Sequence, residues 1–295
     1  MENVKIAQVC GLCAGCKHAI DTTIKELKSG NSVTMFKEIV HNKNVNNLLA
    51  SLGAKQEDCL EKLSAEDIVV IRAHGEPPST YKSLNKRNIQ YRDCTCRNVV
   101  EIHNIVCEYA KKGFLTIVIG KYKSALHPEV LGTVGWAMDD VVLIEDQEDL
   151  DKLSLVKNKK WLLVCQTTFN IAKAEELIAQ IENIAKDKDC ELVVKKTLCM
   201  AQKVINQTSA NLAKDCDVMI VVGGASSSNS KELFANVSSI CPSVFIEDIK
   251  TYKDALAKVG IKLNGKMSIG ITAGASTMKE ELVELKKMIE KDLEE

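Results

Sequence analysis

Short runs rich in Val and Ile alternate along this chain with longer stretches of helical period, the pattern of buried parallel strands joined by helices. The first run, Val4 to Val9, reads as a strand. Ile20, Ile24 and Leu27 then mark one face of a helix ending near Lys28, where Gly30 and Asn31 stop it. At the other end Leu282, Leu285, Ile289 and Leu293 form an apolar stripe, and Ser276 or Thr277 is placed to cap the helix that carries it. The fold class this predicts is α/β.

Three times an aliphatic strand runs directly into a loop of small and polar residues: Ile68 to Gly75, Leu115 to Glu129, and Val218 to Asn229. Each is followed by a second strand-to-loop element, at Tyr91 to Cys96, Trp161 to Thr168, and Ile269 to Ser276. Three similar α/β modules are therefore expected, over residues 1–96, 97–196 and 197–295, with the N-terminal strand a candidate to pair in the third. Open parallel sheets bind ligands beyond the carboxyl ends of their strands, so six polar loops of this kind would supply a site. No Gly/Ser/Pro-rich linker separates the modules, which predicts close packing.

Composition narrows the function. The 295 residues are 45% hydrophobic and 4% aromatic, enough for a large aliphatic core. Lys plus Arg (39) nearly cancels Asp plus Glu (40), so the electrostatic footprint of a nucleic-acid binder is missing. The first twenty residues mix Glu2, Lys5 and Gln8 into a short apolar run unlike a signal peptide, and no apolar run reaches membrane-spanning length. A cytoplasmic protein with no membrane partner is expected. Twelve cysteines in such a chain point to metal or redox chemistry before disulfides. Cys59, Cys107, Cys190 and Cys241 are single residues whose expected role is packing.

Cysteines at strand ends are the ones a metal could reach: Cys10, Cys13, Cys16, Cys94, Cys96 and Cys199. Cys10-x-x-Cys13-x-x-Cys16 matches part of a ferredoxin signature without its fourth ligand and proline. One cysteine from each module, at Cys13, Cys96 and Cys199, would leave one iron of a cluster open to substrate. A structural zinc site or buried thiols are the competing readings of the same residues.

The flanking residues carry a resemblance. Gly11-Leu12-Cys13-Ala14-Gly15 resembles the opening motif of the LytB/IspH family, the 4-hydroxy-3-methylbut-2-enyl diphosphate reductases. The match continues in order through Glu38-Ile39-Val40-His41-Asn42, Ala73-His74-Gly75, Asp93-Cys94-Thr95-Cys96 and His127-Pro128-Glu129-Val130. It ends with Gln166-Thr167-Thr168, Ser227-Ser228-Asn229-Ser230 and Thr272-Ala273-Gly274-Ala275-Ser276.

The resemblance implies three α/β modules in a pseudo-threefold cloverleaf around a central [4Fe-4S] cluster, ligated by Cys13, Cys96 and Cys199. It implies reductive removal of a hydroxyl from a small allylic diphosphate, giving isopentenyl and dimethylallyl diphosphate, with the open iron holding the departing oxygen. Glu129 matches the family's proton donor and Thr167 its partner in the proton relay. His41, His74 and His127 match three diphosphate-site histidines, and Thr168, Ser227, Ser228, Asn229 and Ser276 match further donors at that site. Electrons would come singly from a ferredoxin or flavodoxin-type donor, since the chain shows no nucleotide-binding glycine fingerprint. His103, inside an expected helix, reads as structural or solvated.

Departures from the family pattern cluster around the cysteines. Cys10-Gly11-Leu12 stands where an arginine-glycine-phenylalanine is usual, His18 where an arginine is, and Arg97 where a proline is. Cys94 replaces a small residue, and Ala201-Gln202 and Ile205-Asn206 replace the pairs that follow the third cysteine. Cys10, Cys16 and Cys94 are thus extra thiols that could tune a cluster, close it or fill space. A related reductase with another small substrate, or a non-enzymatic iron-sulfur carrier, are the alternative functions. The retained histidines, glutamate, threonine and serine-asparagine set favours the diphosphate.

Overall fold

The computed structural model describes residues 3–40, 42–138, 140–225 and 227–294. Along the chain come β1 (Val4–Ile6), α1 (Ala14–Lys28), β2 (Val33–Phe36), α2 (Lys43–Ser51), β3 (Lys55–Glu57), β4 (Ile68–Ile71), α3 (Pro78–Lys86), β5 (Tyr91–Asp93) and α4 (Arg97–Lys111). Next are β6 (Leu115–Ile119), α5 (Pro128–Trp136), β7 (Val141–Ile144), β8 (Lys160–Cys165), α6 (Ile171–Asp187), β9 (Glu191–Lys195) and α7 (Met200–Ala213). The last are β10 (Val218–Val222), α8 (Ser228–Ser238), β11 (Ser243–Ile246), α9 (Tyr252–Lys258), β12 (Ile269–Ala273) and α10 (Lys279–Glu294). The α/β class read from the sequence is the class observed, with three four-stranded sheets.

The chain divides into two compact units. One comprises Met1–Leu27, Glu38–Lys55 and Met200–Glu295. Its sheet has the order β1-β12-β10-β11 and is parallel throughout, so the N-terminal strand lies beside β12 with Val4 opposite Ile269. Val218, Ile220 and Val222 of β10 pack on one face with Leu282, Leu285 and Ile289 of α10. Met219 and Val221 pack on the other with Ile205, Leu233 and Val237 from α7 and α8. Burial on both faces is why β10 reads as an unbroken aliphatic run, and each such side chain contributes roughly 1.5–3 kcal/mol.

Two expectations at the ends of this unit shift by a few residues. The first strand stops at Ile6: β1 is an edge strand bonded only to β12, and after the Ala7 N–H donates to the Ile271 carbonyl (2.8 Å) the chain leaves the sheet. The C-terminal helix starts at Lys279, beyond both expected caps, because the Thr277 hydroxyl donates to the Val222 carbonyl (3.3 Å) instead.

The other unit comprises Lys28–Lys37 and Gln56–Cys199. It holds a sheet ordered β3-β2-β4-β5, in which β2, β4 and β5 run parallel, and a wholly parallel sheet ordered β7-β6-β8-β9. In β6, Ile117 and Ile119 face α6, whose Leu177, Ile178 and Ile181 are buried there, while Val118 faces the α4 side with Ile102 and Val106. The carboxyl ends of β4, β5, β6 and β8 lead into the loops or helix starts that carry His74, Cys96, His127, Glu129 and Thr167. Among the described residues no helix is long and apolar enough to cross a membrane.

Candidate functional site

Pro128 opens α5 at a position where its missing N–H costs nothing, and His127 caps the helix, its ring Nδ1 accepting the Glu129 N–H (3.2 Å). An accepting Nδ1 puts the proton of the neutral ring on Nε2, which makes that atom a donor. The His127 ring meets that of His74 edge to face, with centroids 5.4 Å apart.

Glu129, one residue further, is 1% exposed. Its carboxylate is met by a single residue after β8: the Thr167 N–H donates to Oε1 (2.5 Å) and the Thr167 hydroxyl to Oε2 (2.7 Å). Burial disfavours the charge and outweighs the two bonds that favour it, so the pKa rises from 4.5 to about 7. A carboxyl so placed is partly protonated at neutral pH, in the range a general acid needs. Thr168 stands beside the pair, its hydroxyl accepting from the Gln166 side-chain amide (2.8 Å).

Thr167 also ties this pair to a thiol, since its carbonyl accepts the Cys199 N–H (2.8 Å). Cys199 Sγ accepts a hydrogen bond from the side-chain amide of Asn98 (3.3 Å), in the first turn of α4. Cys96 caps that helix and donates its own N–H to the Ala73 carbonyl (2.9 Å), next to His74. The unit thus brings Cys96, Cys199, His74, His127, Glu129, Thr167 and Thr168 onto neighbouring loops and helix starts. Asn98 was not a sequence candidate. Its position, two residues past a candidate ligand cysteine at a helix start, is the signal that could have drawn attention to it.

Beneath His74 the chain makes a left-handed turn at Gly75 (φ 73°), where an added Cβ would lie 2.7 Å from His103 Cε1. His103 is buried and stacked on Trp136 (5.4 Å), and burial pushes its pKa down to about 4, so it is a neutral structural ring.

The other unit carries the remaining candidates. Gly11 adopts φ 76°, and a Cβ there would come within 2.8 Å of the Thr277 carbonyl, so only glycine lets the first loop press against the loop after β12. Leu12 and Cys13 continue that contact, donating their N–H groups to the carbonyls of Thr277 (2.9 Å) and Ala275 (3.1 Å). Cys13 sits at the start of α1, its Sγ accepting the Cys16 N–H (3.5 Å). The Cys16 thiol, hydrogen-bonded to it, acts with nearby backbone N–H groups against the push of burial and brings Cys13 down to about 6.

Ser227 caps α8 by accepting the Ser230 N–H (3.3 Å), and the Asn229 carbonyl accepts from the Gln202 side chain (3.4 Å). Ser276 is buried, and its carbonyl accepts from Asn42 (3.1 Å), the cap of α2. His41 and the side chain of Ser228 lie outside the described residues.

None of the twelve cysteines forms a disulfide. Cys94 is buried, and Cys10 packs against the core with its thiol pushed up to about 11 by burial. Cys190 and Cys241 pack against cores, whereas Cys59 instead donates to Glu61 at the surface (3.0 Å). Among the described residues no three His, Cys, Asp or Glu side chains crowd within reach of one metal ion. A cluster makes a different demand, because each ligand sulfur binds its own iron. Cys13, Cys96 and Cys199 fit that demand: half-buried soft donors outside any disulfide, with Cys13 and Cys199 accepting hydrogen bonds at sulfur.

Comparison with known proteins identifies the family. The family model described as LytB protein matches residues 4–290. A 4-hydroxy-3-methylbut-2-enyl diphosphate reductase of Clostridioides difficile (strain 630) is 34% identical over 276 residues, covering 93% of this chain and 94% of the relative. One of the same name from Alkaliphilus oremlandii (strain OhILAs) is 34% identical over 278 residues, covering 94% and 95%. The solved structure of the E-1-hydroxy-2-methyl-but-2-enyl-4-diphosphate reductase from Plasmodium falciparum superimposes with a TM-score of 0.80 at 28% identity, covering 98% of this chain and 87% of that one. Another, of an (E)-4-hydroxy-3-methyl-but-2-enyl diphosphate reductase described as the terminal enzyme of the non-mevalonate pathway, gives 0.76 at 28% identity and covers 99% and 100%. With nearly its whole length matched by sequence and by fold, this chain belongs to the LytB protein family.

Proposed function

We propose that this protein is a 4-hydroxy-3-methylbut-2-enyl diphosphate reductase that holds a [4Fe-4S] cluster on Cys13, Cys96 and Cys199. The observation that carries the reading is Glu129, a buried carboxyl with a pKa of about 7 fixed by both donors of Thr167. When bound, the cluster supplies electrons one at a time and a Lewis-acidic iron. Hydroxide is a poor leaving group, so the departing oxygen must be protonated, and Glu129 holds the proton for that step. Thr167 fixes the carboxyl's orientation, and its hydroxyl is the next atom along a relay.

The diphosphate of the substrate needs several donors and no buried unpaired cation. The His127 Nε2–H, His74, Thr168, the hydroxyl of Ser227, and Asn229 and Ser276 fill that role, with His41 and Ser228 assigned on the family motif alone. Ser227 and Asn229 stand at the start of α8, where backbone N–H groups favour an anion. A ferredoxin or flavodoxin-type protein delivers the electrons, and the cytoplasm is the reducing compartment that suits twelve cysteines outside any disulfide. Anaerobically reconstituted protein given reduced donor and the hydroxymethylbutenyl diphosphate should form isopentenyl and dimethylallyl diphosphate. Absence of both products refutes the substrate assignment.

A further inference from the structure

We propose that Asn98 is a positioning residue that donates a hydrogen bond to the sulfur of Cys199 and thereby raises the reduction potential of the cluster this sulfur ligates. The inference rests on the reading of Cys199 as a cluster ligand and adds a residue which that reading does not include. Its basis is geometric. The Asn98 side-chain nitrogen lies 3.3 Å from Cys199 Sγ, within hydrogen-bonding range for sulfur, although 101 residues separate the two in sequence.

Both ends of the bond are held. Asn98 is in the first turn of the 15-residue helix α4, two residues after Cys96, so its side chain leaves a rigid backbone. Cys199 is fixed by its own N–H on the Thr167 carbonyl (2.8 Å). An amide is well suited to this place: it donates without a charge, and its proton affinity keeps it from titrating in the working pH range.

The direction of the effect follows from charge. Reduction adds negative charge to the cluster, part of it on the ligand sulfurs, and a donor aimed at one of them stabilises the reduced form more than the oxidised. Removing the donor therefore lowers the potential. At a fixed solution potential the reduced-to-oxidised ratio should fall roughly three- to tenfold, taking the change as part of the worth of one bond to a charged acceptor. The upper end corresponds to about 59 mV for a one-electron couple.

The test uses the full-length protein, reconstituted anaerobically, as wild type, Asn98→Leu and Asn98→Asp. Redox potentiometry followed by electron paramagnetic resonance reads the potential, and resonance Raman reads the iron–sulfur stretching bands. Leu removes the donor. Asp keeps the shape, removes the donor and adds negative charge, so its potential should fall at least as far. Midpoints and stretching bands that match wild type in both variants overturn the proposal. So does failure of both variants to load a cluster while their fold is intact by circular dichroism, since a tuning bond is dispensable for loading. A wild-type protein that takes up no iron and sulfide instead sinks the ligand assignment itself, before any variant is compared.

Discussion

Replacing Glu129 with Gln separates its chemical role from its structural cost. Gln keeps the volume: its oxygen can still accept the Thr167 N–H, and its amide can donate to the Thr167 hydroxyl once that group turns, so both contacts at 2.5 and 2.7 Å have a counterpart. What is lost is the transferable proton, and removal of a positioned general acid costs about 10²–10⁴-fold in rate.

The same substitution should stabilise the fold at high pH. Glu129 has a folded-state pKa of about 7 against an ordinary 4.5, so between those values the folded protein binds more protons than the unfolded. Stability from this group is complete below about pH 4.5 and is lost as pH rises through 7. At about 1.36 kcal/mol per pH unit, the loss is on the order of 3 kcal/mol. Gln does not titrate and escapes it. Denaturant midpoints of wild type and variant, measured from pH 4.5 to 8, should diverge in favour of the variant as pH rises, while turnover collapses and the cluster remains. Parallel stability curves would show that Glu129 is not the strained acid, and turnover within a few-fold of wild type that it is not the proton donor.

Thr167→Val deletes one of the two bonds that hold the Glu129 pKa down, so the alkaline limb of the rate profile should move to higher pH; a limb that stays or moves down contradicts the relay. Gly75→Ala places a side chain in left-handed backbone and within 2.7 Å of buried His103, and should cost more than the about 1–2 kcal/mol of the backbone conformation alone, read as a lowered denaturant midpoint. Ser227→Ala removes the cap of α8, worth about 0.5–2 kcal/mol, and should also weaken pyrophosphate binding in a calorimetric titration; unchanged pyrophosphate affinity would remove Ser227 from the anion site.

The strands that the sequence makes plainest are those buried on both faces. Val218–Val222 is an unbroken apolar run and Leu115–Ile119 is interrupted only by buried Thr116, because helices cover each side of their sheets. Half-buried strands such as Val141–Ile144 and Glu191–Lys195 carry a weaker pattern, and their flanks hide them. Ends are set by tertiary partners: β1 stops because only β12 supports it, and Thr277 fails to cap α10 because Val222 claims its hydroxyl.

Site chemistry was legible where it resides in local motifs. Cys96 stands at the N-cap position of its helix, His127 caps the helix that follows it, and Pro128 marks that second start. The pairing of Glu129 with Thr167 spans 38 residues and that of Asn98 with Cys199 spans 101, so neither is written in local spacing. The first came from family resemblance. The second joins residues that only the folded chain brings together.

Iron and acid-labile sulfide, assayed in anaerobically purified wild type and in Cys13→Ser, Cys96→Ser and Cys199→Ser, test the central claim most directly. Wild type should carry one full [4Fe-4S] complement with a brown chromophore, and each substitution should strip most of it while the fold persists. Iron-free wild type, or variants that retain the whole complement, would contradict the assignment of these three thiols.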